Sequence, residues 1–225
     1  MQLLFFILFI LAISCSPAQK HKSFIPEEYH YPLNNIGKGK IKVFQNLETA
    51  QQVFSNVEFK EVSGKSYLFA TQYVLGRKID SSVSVNDELV ENYGFDNGRV
   101  IKRDVKEDVI IDIGKKYDHH KVIITYNTAI STFSSTREEE YLKDTLFQWQ
   151  GTPVSCLVIK AVVSDVNESK DNSLLRQEHK TNFIFYHAKG VGLVRFTRNE
   201  GNNVSTWDSK RDKRLNELII RSVAF

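Results

Sequence analysis

A chain of 225 residues with a formal net charge of +3, from 30 Lys and Arg against 27 Asp and Glu, lacks the basic excess that a nucleic-acid partner demands. Two cysteines are too few for a disulfide framework, and 15 Phe with 9 Tyr favour strands over helices.

The chain opens with an unbroken apolar run at residues 3–13. As a helix it spans roughly 16 Å, about half of a ~30 Å hydrocarbon core. It is too short to cross and suits the apolar region of a signal peptide. Ala12-Ile13-Ser14-Cys15 resembles a bacterial lipobox, in which the cysteine becomes the lipidated first residue of the mature chain. The same residues also fit an ordinary Ala-x-Ser cleavage site, which would leave the protein secreted. Residues 1–14 are therefore expected to be a signal peptide and Cys15 the lipid anchor. Residues 15–32, polar and carrying Pro17, Pro26 and Pro32, are expected to be a flexible tether. No acidic run follows Cys15, which favours a periplasm-facing location. Residues 33–225 are expected to form one all-β domain.

Within that domain the expected strands are short and separated by turns. Residues 40–45 are a first strand, and 49–55 read as one or two helical turns. Residues 57–62 and 66–75 form a hairpin through Ser63-Gly64. Residues 79–85 alternate apolar and small polar groups, as a half-exposed strand does. Residues 90–95 and 99–103 flank Asp96-Asn97-Gly98, a strong short hairpin signal. Residues 109–113 read as a short strand and 121–133 as a long, curved one. Residues 137–143 have the composition of a helical turn, passing into a strand at 141–149. Residues 154–163 form the most apolar strand beyond the leader and should lie centrally in the sheet. The polar stretch 165–178 reads as a loop, 204–207 as a strand, and 215–223 as the closing strand.

The most informative stretch is 181–198. Residues 182–187 and 191–198 are two β-type runs, joined by Ala188-Lys189-Gly190, with Gly192 marking a bulge. Alternation places Phe183, Phe185 and His187 on one face, a candidate core or apolar ligand face, with Ile184 and Tyr186 on the other. Val122, Ile124 and Tyr126 oppose Ile123 and Thr125 in the same way.

Other constellations invite chemistry and read more simply as structure. His119-His120 would point to opposite faces of a strand, so a shared metal is not expected and a solvated strand end is. Glu138-Glu139-Glu140 reads as a charged, solvated turn. Gly190-x-Gly192 lacks the third glycine and the following helix of a phosphate loop. Cys156, in an apolar strand with no neighbouring base, reads as a buried, inert thiol. Lys210, Arg211, Lys213 and Arg214 form the densest basic cluster, a candidate contact for anionic head groups or a charged turn that protects a sheet. Asp144-Thr145-Leu146 resembles an O-glycosylation motif of Bacteroidetes-type exported proteins, with Leu146 alternatively facing the core.

Tyr186-His187-Ala188-Lys189-Gly190-Val191-Gly192-Leu193-Val194 resembles the hairpin of TapB-like proteins, a family of small envelope lipoproteins. Tyr31-Pro32-Leu33 with Gly37 resembles that family's domain start, and Gly151-Thr152-Pro153-Val154-Ser155-Cys156-Leu157-Val158-Ile159 its strand entry. The resemblance implies a mainly antiparallel β-barrel and lends no catalytic residue.

Together these readings predict an all-β fold: a single antiparallel β-barrel or strongly curved sheet of about 9–12 strands with few short helical turns. The expected function is that of a non-catalytic exported lipoprotein with no cofactor and no metal. Two roles compete: docking onto another envelope protein, and holding a lipid-like or other apolar ligand inside the barrel. With aromatic residues this abundant, side chains are expected to fill the interior, which ranks docking first.

Overall fold

The computed structural model describes residues 25, 27–29, 40–74, 77–85, 88–96, 99–110, 119–171 and 175–210. Twelve strands follow one another: β1 (Lys40–Asn46), β2 (Gln52–Val62), β3 (Lys65–Val74), β4 (Arg77–Val85), β5 (Glu88–Asp96), β6 (Arg99–Ile110), β7 (His119–Asn127), β8 (Ser131–Trp149), β9 (Thr152–Ser169), β10 (Arg176–Ala188), β11 (Gly192–Glu200) and β12 (Asn203–Ser209). Each strand pairs antiparallel with its sequence neighbours, and β12 pairs with β1, so the sheet closes into an up-and-down barrel. The described helix is a single 3₁₀ turn at Glu27–Tyr29.

Turn chemistry sets the hairpins. Ser63 and Gly64 both have positive φ (52° and 74°), as do Gln150 and Gly151 (50° and 83°). Two residues in that conformation give a tight turn whose twist matches the flanking strands. Gly190 and Gly192 have φ of 72° and 81°. Beside them the register shifts between Tyr186 and His187, leaving an extra residue on β11. Further irregularities fall at Gln72/Tyr73, Val83/Ser84 and Tyr141/Lys143. Bulges of this kind bend strands, and a closed sheet needs that bending.

Several stretches differ from the sequence reading. Residues 52–55 belong to β2, not to a helical turn. The long strand expected at 121–133 is broken at 128–130, where the Thr128 side chain accepts hydrogen bonds from the backbone N–H groups of Ile130 and Ser131. Residues 137–143 lie inside the 19-residue β8. The loop expected at 165–178 is mostly strand, because β9 runs to Ser169 and β10 begins at Arg176. Its polar residues pair instead of unfolding: Glu178 meets Lys180 at 3.1 Å and Ser164 at 3.2 Å, and His179 meets Glu200 at 3.0 Å. Residues 215–223 lie outside the described residues; β12 makes the closure.

The main core lines one arc of the interior. Phe44 on β1, Leu157, Ile159, Ala161 and Val163 on β9, Phe183 and Phe185 on β10, Leu193 and Phe196 on β11, and Trp207 on β12 are buried together. Phe196 sits at its centre, stacked on Trp207 at 5.7 Å and edge-on to Phe44 at 5.5 Å. A smaller cluster of Cys156, Ala188 and Val194 packs with Phe147, Trp149 and Tyr186. Ile25 and Tyr29 join the main core, so its contacts begin inside the stretch read as a tether. The Tyr29 hydroxyl meets Ser155 Oγ at 3.3 Å, and Gly190 N–H donates to Glu28 C=O at 2.7 Å. Leu146 does not face the core; it is 74% exposed, at the far end of β8.

Truncating Phe196 to Ala should cost about 3–5 kcal/mol, since a fully buried aromatic leaves a cavity its rigid neighbours cannot fill. Leu146→Ala should stay within about 0.5 kcal/mol of the parent. Urea unfolding midpoints check both.

Candidate functional site

Cross-strand register identifies the inward face. Starting from buried Phe44, the pairs Phe44↔Val53, Val53↔Val74, Lys42↔Ser55, Ser55↔Gln72 and Gln72↔Asp80 share one face. Continuing round, Asn92↔Arg103, Val105↔Ile124, Val122↔Arg137 and Ser135↔Asp165 fall on that face. The inward face therefore has two characters. An aromatic and aliphatic arc runs over β9–β12 and β1. A more polar arc runs over β2–β9, where polar and charged groups stand among Val53, Val57, Leu68 and Ala70 on β2 and β3 and a small cluster of Leu89, Val122 and Ile124 with Val105.

Three ionic units line the interior, two on the polar arc and a third at the Glu200 end of β11 beside β10. In the first, Arg103 Nη1 donates to Asp80 Oδ2 and to Asn92 Oδ1, each at 2.8 Å, and Asn92 Nδ2 donates to Asp80 Oδ1 at 2.9 Å. The guanidinium also lies 5.5 Å from the Tyr126 ring centre. Gly94 makes room for it, because a Cβ there would lie 2.2 Å from Arg103 Nη2. Burial pushes the Asp80 carboxyl up to about 6, against the pull of Arg103 and Asn92. In the second unit, His120 Nδ1 bonds Glu139 Oε2 at 2.6 Å and Arg137 donates to the other oxygen of Glu139. Burial alone would raise this carboxyl, but Arg137 and His120 outweigh it and hold it at about 2. Arg137 also stands 4.9 Å over the Phe185 ring, tying the polar arc to the aromatic one. In the third, Glu200 accepts from Arg198 and from Thr181 Oγ1, and pairs with His179.

Asp165 is inward and half-buried. Desolvation raises its carboxyl to about 6, although Ser135, His179, Arg103 and Arg198 all pull it down. Its Oδ1 is buried and makes no hydrogen bond; the same is true of Ser55 Oγ and Gln72 Oε1. A buried polar atom left unpaired costs roughly 1–3 kcal/mol, so three such acceptors on one interior face is a notable concentration.

The residues singled out from sequence divide clearly. Phe183, Phe185 and His187 share the inward face and are buried, with His187 edge-on to Phe185 at 6.4 Å. In the hairpin motif, Ala188, Leu193 and Val194 are buried, Tyr186 and Val191 pack on the smaller cluster, and Gly190 and Gly192 take the positive φ. Cys156 is buried and free, and burial pushes its thiol up to about 12. Lys210 is exposed, with its backbone N–H on Val43 C=O. Arg211, Lys213, Arg214 and Cys15 lie outside the described residues. Two expectations are corrected. Glu138-Glu139-Glu140 is not a solvated turn but part of β8, and alternation turns Glu139 inward. His120 is not at a solvated strand end; it is 4% exposed and paired with Glu139 across the strands. Among the described residues, no group of three or more His, Cys, Asp and Glu side chains could hold a metal ion.

No protein-family model matches the chain, and no curated protein matches it; neither comparison carries the TapB-like name. Two solved structures are similar in fold. One is a candidate lipoprotein from Parabacteroides distasonis, at 14% identity and a TM-score of 0.44, covering 81% of this chain and 97% of that one. The other is a candidate exported protein with a YmcC-like fold from Bacteroides fragilis, at 10% identity and a TM-score of 0.39, covering 82% of this chain and 98% of that one.

Two measurements probe the polar arc. Gly94→Ala should displace the Arg103 guanidinium from Asp80 and Asn92 and destabilise the protein by about 2–4 kcal/mol, because it breaks a buried charged unit. Thermal unfolding reads this; Gly94 does not have a positive φ, so the clash with Arg103, not backbone strain, carries the loss. For Asp165, the folded-state pKa lies above the unfolded value of about 3.9. The native state therefore holds its proton more tightly, and the stability this contributes is lost as pH rises through about 6. Asp165→Asn removes that titration. Its stability relative to the parent should improve by about 1–2 kcal/mol between about pH 4 and pH 7.5.

Proposed function

We propose that this protein is a lipid-anchored, non-catalytic envelope protein whose barrel binds an amphipathic molecule. The observation that carries the reading is the divided interior: an aromatic arc facing a polar arc within one closed sheet. An eight-stranded barrel is just wide enough to be filled by side chains or to hold one small ligand. Diameter grows roughly with strand number, so twelve strands give about half as much width again. Inward groups on β6–β9, including Ile101, Val105, Tyr126, Phe133 and Tyr141, keep partial exposure. This favours ligand carriage over the filled interior expected from composition. The carboxylates Asp80, Glu139 and Glu200 are engaged by arginines, which suits anchoring more than proton transfer. Export and anchoring rest on the apolar run at 3–13 and on Cys15, with the barrel facing the periplasm.

A second reading, docking onto another envelope component, draws on one feature. Leu47, Ile130, Leu175 and Val204 are 51–69% exposed at the end of the barrel that carries the turns after β1, β7, β9 and β11. Exposed apolar residues mark a contact surface where they form a contiguous patch.

The test has two arms. Labelled fatty acid and intact mass should show acylated Cys15; an unmodified cysteine at the mature N-terminus sinks the anchor. The full chain carrying Cys15→Ser should release stoichiometric lipid on extraction and bind an apolar fluorescent probe saturably. Val105→Phe, which adds bulk at a half-exposed inward position, should weaken that binding more than about fivefold with an unchanged circular dichroism spectrum. Absence of both lipid and saturable probe binding returns the docking role to first place.

A further inference from the structure

We propose that Ser55 and Gln72 form the head-group subsite of the barrel, and that the head group is uncharged and bears hydroxyls. The inference rests on the amphiphile reading above and narrows it to a ligand class.

Strand register builds the subsite. Lys42, Ser55, Gln72 and Asp80 are successive cross-strand partners on β1 to β4, so their side chains stand side by side on the inward face. Gly94 follows in the same row and leaves its space to the Arg103 guanidinium. Lys42, Ser55 and Gln72 are 3%, 3% and 4% exposed. Two adjacent members of this row, Ser55 Oγ and Gln72 Oε1, are buried with no hydrogen-bond partner. Asp165 Oδ1 is a third acceptor in that condition, and Arg103, which binds the Asp80 of this row, also acts on the Asp165 carboxyl.

The chemistry of these atoms selects the occupant. All three orphan atoms accept hydrogen bonds, and Ser55 can also donate. A hydroxyl donates to one acceptor and accepts from the serine, so one or two vicinal hydroxyls satisfy the row. An anionic head group fits less well. A carboxylate or phosphate oxygen brings no proton to Gln72 Oε1 or Asp165 Oδ1, and it would stand against the Asp165 carboxylate. A cationic head group would stand against Lys42 and Arg103. Phe44 follows Lys42 by two residues on the same face of β1 and leads into the Phe196–Trp207 stack, so the apolar body of the ligand continues from the subsite onto the aromatic arc.

The experiment uses the full chain with Cys15→Ser, stripped of lipid, and reads calorimetric titration alongside tryptophan fluorescence. Dodecyl maltoside below its micelle concentration supplies a chain with a neutral hydroxylated head, laurate the same chain length with an anionic head, and maltose the head alone. Dodecyl maltoside is expected to bind at least tenfold more tightly than laurate. Ser55→Ala and Gln72→Leu should each weaken dodecyl maltoside about five- to tenfold, leave laurate within twofold, and keep or raise the melting temperature. Laurate binding as tightly as dodecyl maltoside, or both variants leaving dodecyl maltoside unchanged, overturns the head-group assignment and leaves the amphiphile reading standing; in the second case internal water serves the two acceptors. No binding of either amphiphile overturns the amphiphile reading itself. Maltose binding as tightly as dodecyl maltoside keeps the hydroxyl chemistry, assigns it to a free sugar and removes the apolar requirement.

Discussion

Closure of the sheet is the constraint on which the inward face depends. β1 and β12 are seven residues each, and among the described residues Phe44↔Ser209, Gln45↔Asp208 and Asn46↔Trp207 are the pairs in register between them. That short seam joins residues some 160 apart in sequence, yet it removes both edges of the sheet at once. It also sets the meaning of every side chain around the circumference. With period-two alternation, a slip of one residue at the seam would turn Phe44 outward and expose the partners of Phe196 and Trp207. The aromatic stack at the seam is therefore what makes closure favourable in one register and costly in the next.

At three places on the inward face, charge replaces apolar burial. Removing ions from water is expensive, and mutual attraction offsets that cost only with good geometry and additional hydrogen bonds. Each ionic unit here has such support: Asn92 and Gly94 for Arg103 with Asp80, His120 and the Phe185 ring for Arg137 with Glu139, Thr181 and His179 for Glu200. Such units add little net stability beyond an apolar core of the same volume. What they provide is a polar interior surface held in fixed geometry, which a purely aliphatic lining cannot present.

The fold was readable where turns have a chemical signature. Ser63-Gly64 and Gly190 to Gly192 marked their hairpins, and the barrel class followed from regular short strands. It was unreadable where the alternation rule assumes an apolar inner face. The strand around Arg137 and Glu139 alternates charge with charge, which without a partner resembles a helical or solvated segment. The polar stretch 165–178 reads as loop for the same reason. Phe183 and Phe185 were placed on the inward face because apolar periodicity is local. Asp80, Asn92 and Arg103 escaped notice because their relation, over sequence separations of 11 and 23 residues, is set by strand register. His120 facing Glu139 was a step away: adjacent histidines were assigned to opposite faces, but the acid across the ladder could not be known.

The docking of Ile25 and Tyr29 against the core has a mechanical meaning. A pull applied through the N-terminal arm reaches residue 28 before it reaches β1. There it meets the Gly190 N–H bond to Glu28 C=O and the Tyr29 contact with Ser155, which fasten the arm to the β10–β11 turn and to β9. Tension is thus shared with the β10–β11 hairpin and its core residues Phe183, Phe185 and Phe196, and β1, one half of the short closing seam, is shielded from being peeled away first.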